Sequence, residues 1–175
     1  MEIRLIEPRD AESLRSLRIR AAKEYPSAFA ASVEEETALS IDEVTKQLRD
    51  GHAYSFWRGA FDNSVLIGVL HLFRYQRPKV NHKTMLGGMY VTPEYQKHGI
   101  GKMLLEETIS FAKTLDGVEM ITLAVTVGNN TARKLYINSG FIPFGIEPRY
   151  IRVDHTYHDI EWMILDLREY KMRST

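Results

Sequence analysis

The chain has 175 residues and carries 23 Lys and Arg against 23 Asp and Glu, which predicts one domain spanning 1–175 with no overall basic field for nucleic acid. With 44% hydrophobic and 26% charged residues, the composition excludes wholesale disorder. The absence of Cys excludes a disulfide scaffold, thiolate zinc sites and a cysteine nucleophile, and it suits a reducing compartment.

At the amino end, Met1-Glu2-Ile3-Arg4 lacks the basic start and apolar run of a signal peptide. Residues 3–6 predict a short strand. From Asp10 onward, Leu14, Leu17, Arg18 and Ala21 share one face of a 3.6-residue period, an amphipathic helix that ends at Tyr25-Pro26. Glu34, Glu35 and Glu36 are expected in a loop. Ser40 and Glu43 have capping-box spacing and open a helix through Leu48, stopped at Asp50-Gly51. Residues 54–61 and 64–74 predict a hairpin that turns at Asp62-Asn63. The longest apolar run, 65–73, is nine residues, against about 20 for a membrane helix. A cytoplasmic protein with no membrane partner is the expectation.

Residues 84–91 predict another strand, in which Gly87-Gly88 marks a bulge or a close backbone approach. A helix over 99–115, a strand over 120–127, a helix over 131–139 stopped by Gly140, and closing strands over 141–146 and 160–167 follow. Three successive strands and then alternation predict an α/β (α+β) fold, a single-domain mixed, twisted β-sheet flanked by helices. The last eight or so residues are expected to be a frayed tail.

The stretch Gln96-Lys97-His98-Gly99-Ile100-Gly101-Lys102 carries a strand into a helix. Unpaired amides of a first helical turn, the helix dipole and glycine backbone together make a phosphate cradle. Lys97, His98 and Lys102 add local positive charge. Gln96 and Met103 stand where a P-loop needs Gly and Ser or Thr, and Leu104 where a dinucleotide fingerprint needs its third Gly. His155 and His158, oddly spaced on a strand, would point to opposite faces, so no metal site is expected. Tyr136 shares a helix face with Ala132 and Leu135, a position that suits either core packing or chemistry.

Gln96, Gly99 and Gly101, followed about thirty residues on by Asn129, Ala132, Leu135, Tyr136, Gly140 and Phe141, form a pattern that resembles the GNAT (GCN5-related) N-acetyltransferases. The element order agrees with that family over nearly the whole chain. The resemblance implies acetyl-CoA as co-substrate. Backbone amides of Gln96, Lys97, His98, Gly99, Ile100, Gly101 and Lys102 would hold its pyrophosphate. Met89, Tyr90 and Val91 would pair with the pantetheine arm on a splayed strand, and the Met89 N–H would polarise the thioester carbonyl. Asn129 would meet the arm where the strands part, and Tyr136 would protonate the departing thiolate. The implied reaction is acetyl transfer to a primary amine of a small molecule, peptide or protein, by direct attack in a ternary complex. The alternative is a non-catalytic CoA-binding or regulatory module on the same fold.

One departure concerns the base. Residues 83–91 contain no Asp or Glu, whereas many members of the family carry a carboxylate on this strand. Glu34, Glu35, Glu36 or a water chain would substitute, with Glu35 as the candidate base, and the acidic run points to a cationic acceptor. A homodimer suits the family pattern.

Overall fold

Alternation of apolar side chains along the central strands decides which helices cover which face of the sheet. The computed structural model describes residues 1–51 and 53–170. Strands β1 (Glu2–Leu5), β2 (Ser55–Asp62), β3 (Val65–Arg74), β4 (Lys83–Val91), β5 (Met120–Thr126), β6 (Ile142–Val153) and β7 (Thr156–Asp166) form one sheet in the order β1-β2-β3-β4-β5-β7-β6. All neighbours pair antiparallel except β4 and β5, which are parallel and joined through helix α4 (Ile100–Thr114). Phe61, Leu66, Val69 and Tyr90 turn to one face, where α1 (Ala11–Glu24) packs Leu14, Leu17 and Ala21. Leu70, Leu72 and Leu86 turn to the other and meet Leu105 and Ile109 of α4. Tyr136 of α5 (Asn130–Asn138) joins that second layer.

The mixed sheet and its flanking helices match the architecture expected from the sequence. The chain differs in three places. Glu34, Glu35 and Glu36 lie in a short helix α2 (Val33–Ala38), because Ser32 and Glu35 close a second capping box ahead of the one at Ser40. The latter opens α3 (Ile41–Asp50) as expected, with Glu43 Oε2 accepting the Ser40 amide at 2.7 Å.

The two closing strands are also longer than their sequence signals, and their turn falls at Asp154-His155, so His155 stands in the turn and off the strand. Pro143, Gly145 and Pro148 interrupt the alternation of β6, and its pairing to β7 slips at Pro143/Gly145 and Glu147/Ile151. Cross-strand pairing overrides the weak local propensity.

At the carboxyl end, Arg168 pairs with Asp166 at 2.7 Å and Glu119 at 3.3 Å, and Tyr170 packs on the core. The remainder of the expected tail, residues 171–175, lies outside the described residues.

Candidate active site

Strands β4 and β5 part halfway along their length. Their parallel register runs from Lys83↔Met120 to Leu86↔Leu123 and stops there, although β5 stays paired to β7 as far as Thr126. On the other side of β4, Val69 pairs with Tyr90 and His71 with Gly87, so Gly88 and Met89 together oppose Leu70. That two-against-one count is a β-bulge, and Gly88 sits in it at φ +59. A Cβ at Gly88 would stand 3.0 Å from the Trp57 ring. The Gly87-Gly88 signal thus marks both features it suggested, a bulge and a close approach. Beyond it, Met89, Tyr90 and Val91 form the free lip of a V-shaped gap.

The loop after β4 closes on that gap. Gln96 anchors it, because its side-chain amide donates to the Val91 carbonyl at 2.9 Å and to the Tyr25 hydroxyl at 3.1 Å. The Gln96 backbone amide is itself used by the Pro93 carbonyl at 3.2 Å, so this residue positions the loop and leaves no donor of its own backbone for a ligand. Lys97 and Gly99 take left-handed angles, φ +65 and +80. That turn feeds the Gly99 cap into α4, and the first intrahelical amide to find an acceptor is Met103, on Gly99 at 3.0 Å. The amides of Lys97, His98, Gly99, Ile100, Gly101 and Lys102 have no acceptor among the described residues. Nothing lies within 4 Å of where a Gly99 Cβ would stand. Such a row of outward amides at a helix start, flanked by exposed Lys97, His98 and Lys102, suits a di-phosphate group.

Three of the expected site residues meet at the mouth of the gap. A Cβ on Gly101 would come within 3.1 Å of the Met89 methyl, and the Tyr136 hydroxyl lies 3.4 Å from the Met89 sulfur. Tyr136 is 8% exposed and packs edge-on against Phe141 at 5.9 Å. Burial pushes its phenol up to about 12, so it stays protonated and able to donate at neutral pH. Asn129 caps α5, its side-chain oxygen accepting the Ala132 amide at 3.2 Å just past the end of β5.

The opposite face of β4 holds a cavity of about 160 Å³ between α1, the loop around Phe29 and Ala31, α2, Trp57 and Gly88. Thr126 donates to the Ser27 carbonyl at 2.7 Å, which draws this loop across the end of β5. Half-buried Arg18 and buried Glu36 meet in the cavity wall as an ion pair. Arg18, placed on the apolar stripe of α1 by its spacing, is the functional candidate that the sequence reading passed over. A charge on a buried stripe was the available signal.

Glu35 does not line the cavity. It is exposed, and its Oε2 accepts the Ser32 amide at 2.7 Å, so the carboxylate proposed as a base acts as a helix cap. Tyr90 turns to the α1 face and donates to Glu24 at 2.7 Å; burial and that bond push its phenol up.

His71 stacks on Trp57 at 4.3 Å between centroids and 8° between planes, with Nε2 2.8 Å from the Ser55 hydroxyl. Burial, then the nearby Arg18 charge, pushes His71 down to about 4 from the ordinary 6.5. Between those values the unfolded chain binds a proton that the native chain refuses. Stability is expected to fall as pH drops from about 6.5 toward about 4, by up to about 3 kcal/mol from this group. Urea midpoints across that window check it: His71→Gln should lose that part of the slope.

Among the described residues no group of three or more His, Cys, Asp or Glu could hold a metal ion, and no helix is long and apolar enough to cross a membrane.

Residues 15–141 match the family model of the Acetyltransferase (GNAT) family. N-alpha-acetyltransferase RimI of Mycobacterium tuberculosis is 35% identical over 101 residues, which cover 57% of this chain and 60% of that protein. The chain thus spans less than two thirds of the length of the curated relatives it matches. An acetyltransferase of the GNAT family from Streptococcus pneumoniae superposes with a TM-score of 0.86 at 25% identity, covering 94% of this chain and 98% of that one. The yncA protein of Salmonella typhimurium, a putative acetyltransferase with its cofactor acetyl-CoA, superposes at 0.84 with 18% identity, over 99% and 98% of the two chains. A split β4/β5 pair, a glycine loop at the start of α4 and the family match over most of the chain lead to one conclusion: this protein belongs to the GNAT acetyltransferase family.

Proposed function

We propose that the protein is an acetyl-CoA-dependent N-acetyltransferase that acts on a primary amine by direct attack in a ternary complex. The observation that carries this reading is the convergence of Met89, Gly101 and Tyr136 at the β4 break, beside a row of unpaired loop amides. The Streptococcus relative is a GNAT acetyltransferase and the Salmonella structure holds acetyl-CoA, which supports the same co-substrate here.

The residues fit that group. Amides from Lys97 to Lys102 would hold the pyrophosphate, Met89, Tyr90 and Val91 would offer backbone to the pantetheine arm, and Asn129 would flank it. Acetyl-CoA supplies the acetyl group as a thioester, whose carbon–sulfur bond breaks as the carbon–nitrogen bond forms. The Met89 N–H would polarise the carbonyl oxygen, and the Tyr136 hydroxyl would give its proton to sulfur. An alkyl ammonium must lose a proton before it attacks. Glu36 is held by Arg18 and Glu35 by Ser32, so this proton goes to water at the cavity mouth. A cytoplasmic location, with no nucleic-acid or membrane partner, completes the reading.

The test is release of CoA thiol from acetyl-CoA, with and without a set of primary amines, and product mass by spectrometry. Amine-dependent release with an acetylated product is the expected result. Tight acetyl-CoA binding with no turnover of any amine would favour the non-catalytic module instead.

The reading includes a homodimer. Strand β6 ends the sheet with an unpaired edge on which Ile142, Phe144 and Ile146 are each more than half exposed. Antiparallel pairing of two such edges about Phe144 sets Ile142 of one copy opposite Ile146 of the other, a self-complementary apolar row. Sedimentation equilibrium should return a dimer for the wild type and a monomer for Phe144→Lys; a monomeric wild type contradicts this part.

A further inference from the structure

The cavity on the α1 face begins at Gly88, one residue from Met89, so whatever enters it approaches the β4 break from the side opposite the glycine loop. Its walls are mostly apolar: Phe29, Ala31, Trp57 and Val69. The charged groups in them are Arg18 and Glu36, and His71 is neutral at pH 7. Arg18 Nη2 donates to Glu36 Oε1 at 2.9 Å, and Nε lies 2.9 Å from Oε2 within the ion pair, although the buried Oε2 accepts no hydrogen bond among the described residues. The guanidinium plane is held 5.3 Å over the Trp57 ring. The third nitrogen, Nη1, has no acceptor among the described residues. Arg18 also borders an adjoining cavity of about 390 Å³ that reaches α3 and shares the Trp57–His71 wall.

This arrangement is specific in what it attracts and what it excludes. The ion pair leaves the cavity wall electrically neutral, with one guanidinium nitrogen and one carboxylate oxygen lacking a hydrogen-bond partner among the described residues, so a zwitterion, neutral overall and carrying both an acceptor and a donor, loses least on entering. A polyamine carries several positive charges and finds one carboxylate, already paired. A simple alkylamine fills the apolar space and leaves Nη1 unsatisfied.

We infer that the acceptor is a free α-amino acid with an apolar side chain, its carboxylate held by Arg18 Nη1 and its side chain against Trp57 and Phe29, with its amine at the β4 break. Glu36 is a positioning residue that fixes the Arg18 fork. The amine nitrogen forms an amide bond to the acetyl carbon as the thioester bond breaks. The ammonium nitrogen gives up two protons to water, one before attack and one as the amide forms; sulfur takes one from Tyr136, which water reprotonates, and the products are an N-acetylamino acid, CoA and one net proton. The inference rests on the proposed N-acetyltransferase reading, and it replaces the cationic acceptor that the Glu34–Glu36 run suggested, since Glu36 is paired and Glu34 and Glu35 point to solvent.

The experiment compares L-leucine, L-phenylalanine, L-leucinamide, 3-methylbutylamine and spermidine as acceptors, and titrates L-leucine calorimetrically into CoA-saturated protein. Loss of one charge-assisted hydrogen bond corresponds to roughly 10–100-fold. L-Leucine should therefore exceed L-leucinamide in kcat/KM by about that factor, and 3-methylbutylamine by at least as much. Saturable heat should appear for L-leucine. A double variant, Arg18→Gln with Glu36→Gln, keeps a neutral hydrogen-bonding pair of similar shape; it should raise the L-leucine KM about tenfold or more and leave the acetyl-CoA KM unchanged. L-Leucinamide equal to or better than L-leucine overturns the inference in favour of a peptide amino terminus. Spermidine or 3-methylbutylamine as the better acceptor overturns it outright, as does a protein that binds acetyl-CoA and acetylates neither amino acid. Failure to bind acetyl-CoA at all sinks the underlying reading instead.

Discussion

Replacing Tyr136 with Phe is expected to lower kcat by ~10²–10⁴-fold while acetyl-CoA affinity stays within about twofold. Among the described residues the hydroxyl has one hydrogen-bond partner, the Met89 sulfur at 3.4 Å, and the ring is fixed independently by Phe141. Phe therefore keeps the packing and removes only the donor. Because burial holds the phenol near 12, the donor is present across the neutral range and becomes important only as negative charge develops on sulfur. Single-turnover thiol release is the measurement, since steady-state rates can report product departure. An unchanged single-turnover rate would remove Tyr136 from the chemistry.

The double variant Gly99→Glu, Gly101→Glu is expected to weaken acetyl-CoA binding at least 100-fold. Gly99 sits at φ +80, where a side chain is strained, and a carboxylate there would stand among the unpaired loop amides that attract an anion. At Gly101 the new Cβ would press on the Met89 methyl at 3.1 Å and narrow the gap from the side. Thermal unfolding separates binding from folding. Ligand at 100 times its Kd stabilises the wild type by about 2.7 kcal/mol, whereas the variant should unfold cooperatively and gain nothing from the same ligand concentration. A preserved ligand-induced rise in Tm would show that the phosphates bind elsewhere.

The parts of this molecule that were legible in the sequence are those that local chemistry dictates. Gly87-Gly88 announced a bulge because glycine inside a strand often marks one, and the structure puts two residues opposite Leu70 there. The spacing of Gln96, Gly99 and Gly101 gave a loop at a helix start, since only glycine takes the Gly99 angles freely. Ser40 and Glu43 stated their cap directly. The same pattern at Ser32 and Glu35 was as readable, yet three successive glutamates with no apolar period suggested a loop and concealed α2.

What the sequence could not reveal is tertiary. Trp57 and His71 lie on different strands, and only the β2–β3 register sets them face to face. Arg18 looked like one member of an apolar stripe, and its meaning depends on Glu36, eighteen positions away in α2. The length of β6 follows from its pairing to β7 and not from its own residues, three of which resist strand structure.

Calorimetric titration of the wild-type protein with acetyl-CoA tests the central claim most directly. One saturable site per chain with micromolar or tighter affinity is the result this account predicts, through the Lys97–Lys102 amides and the open lip of β4. A folded protein that gives no binding heat with acetyl-CoA, and no rise in Tm with it either, would contradict the account at its root.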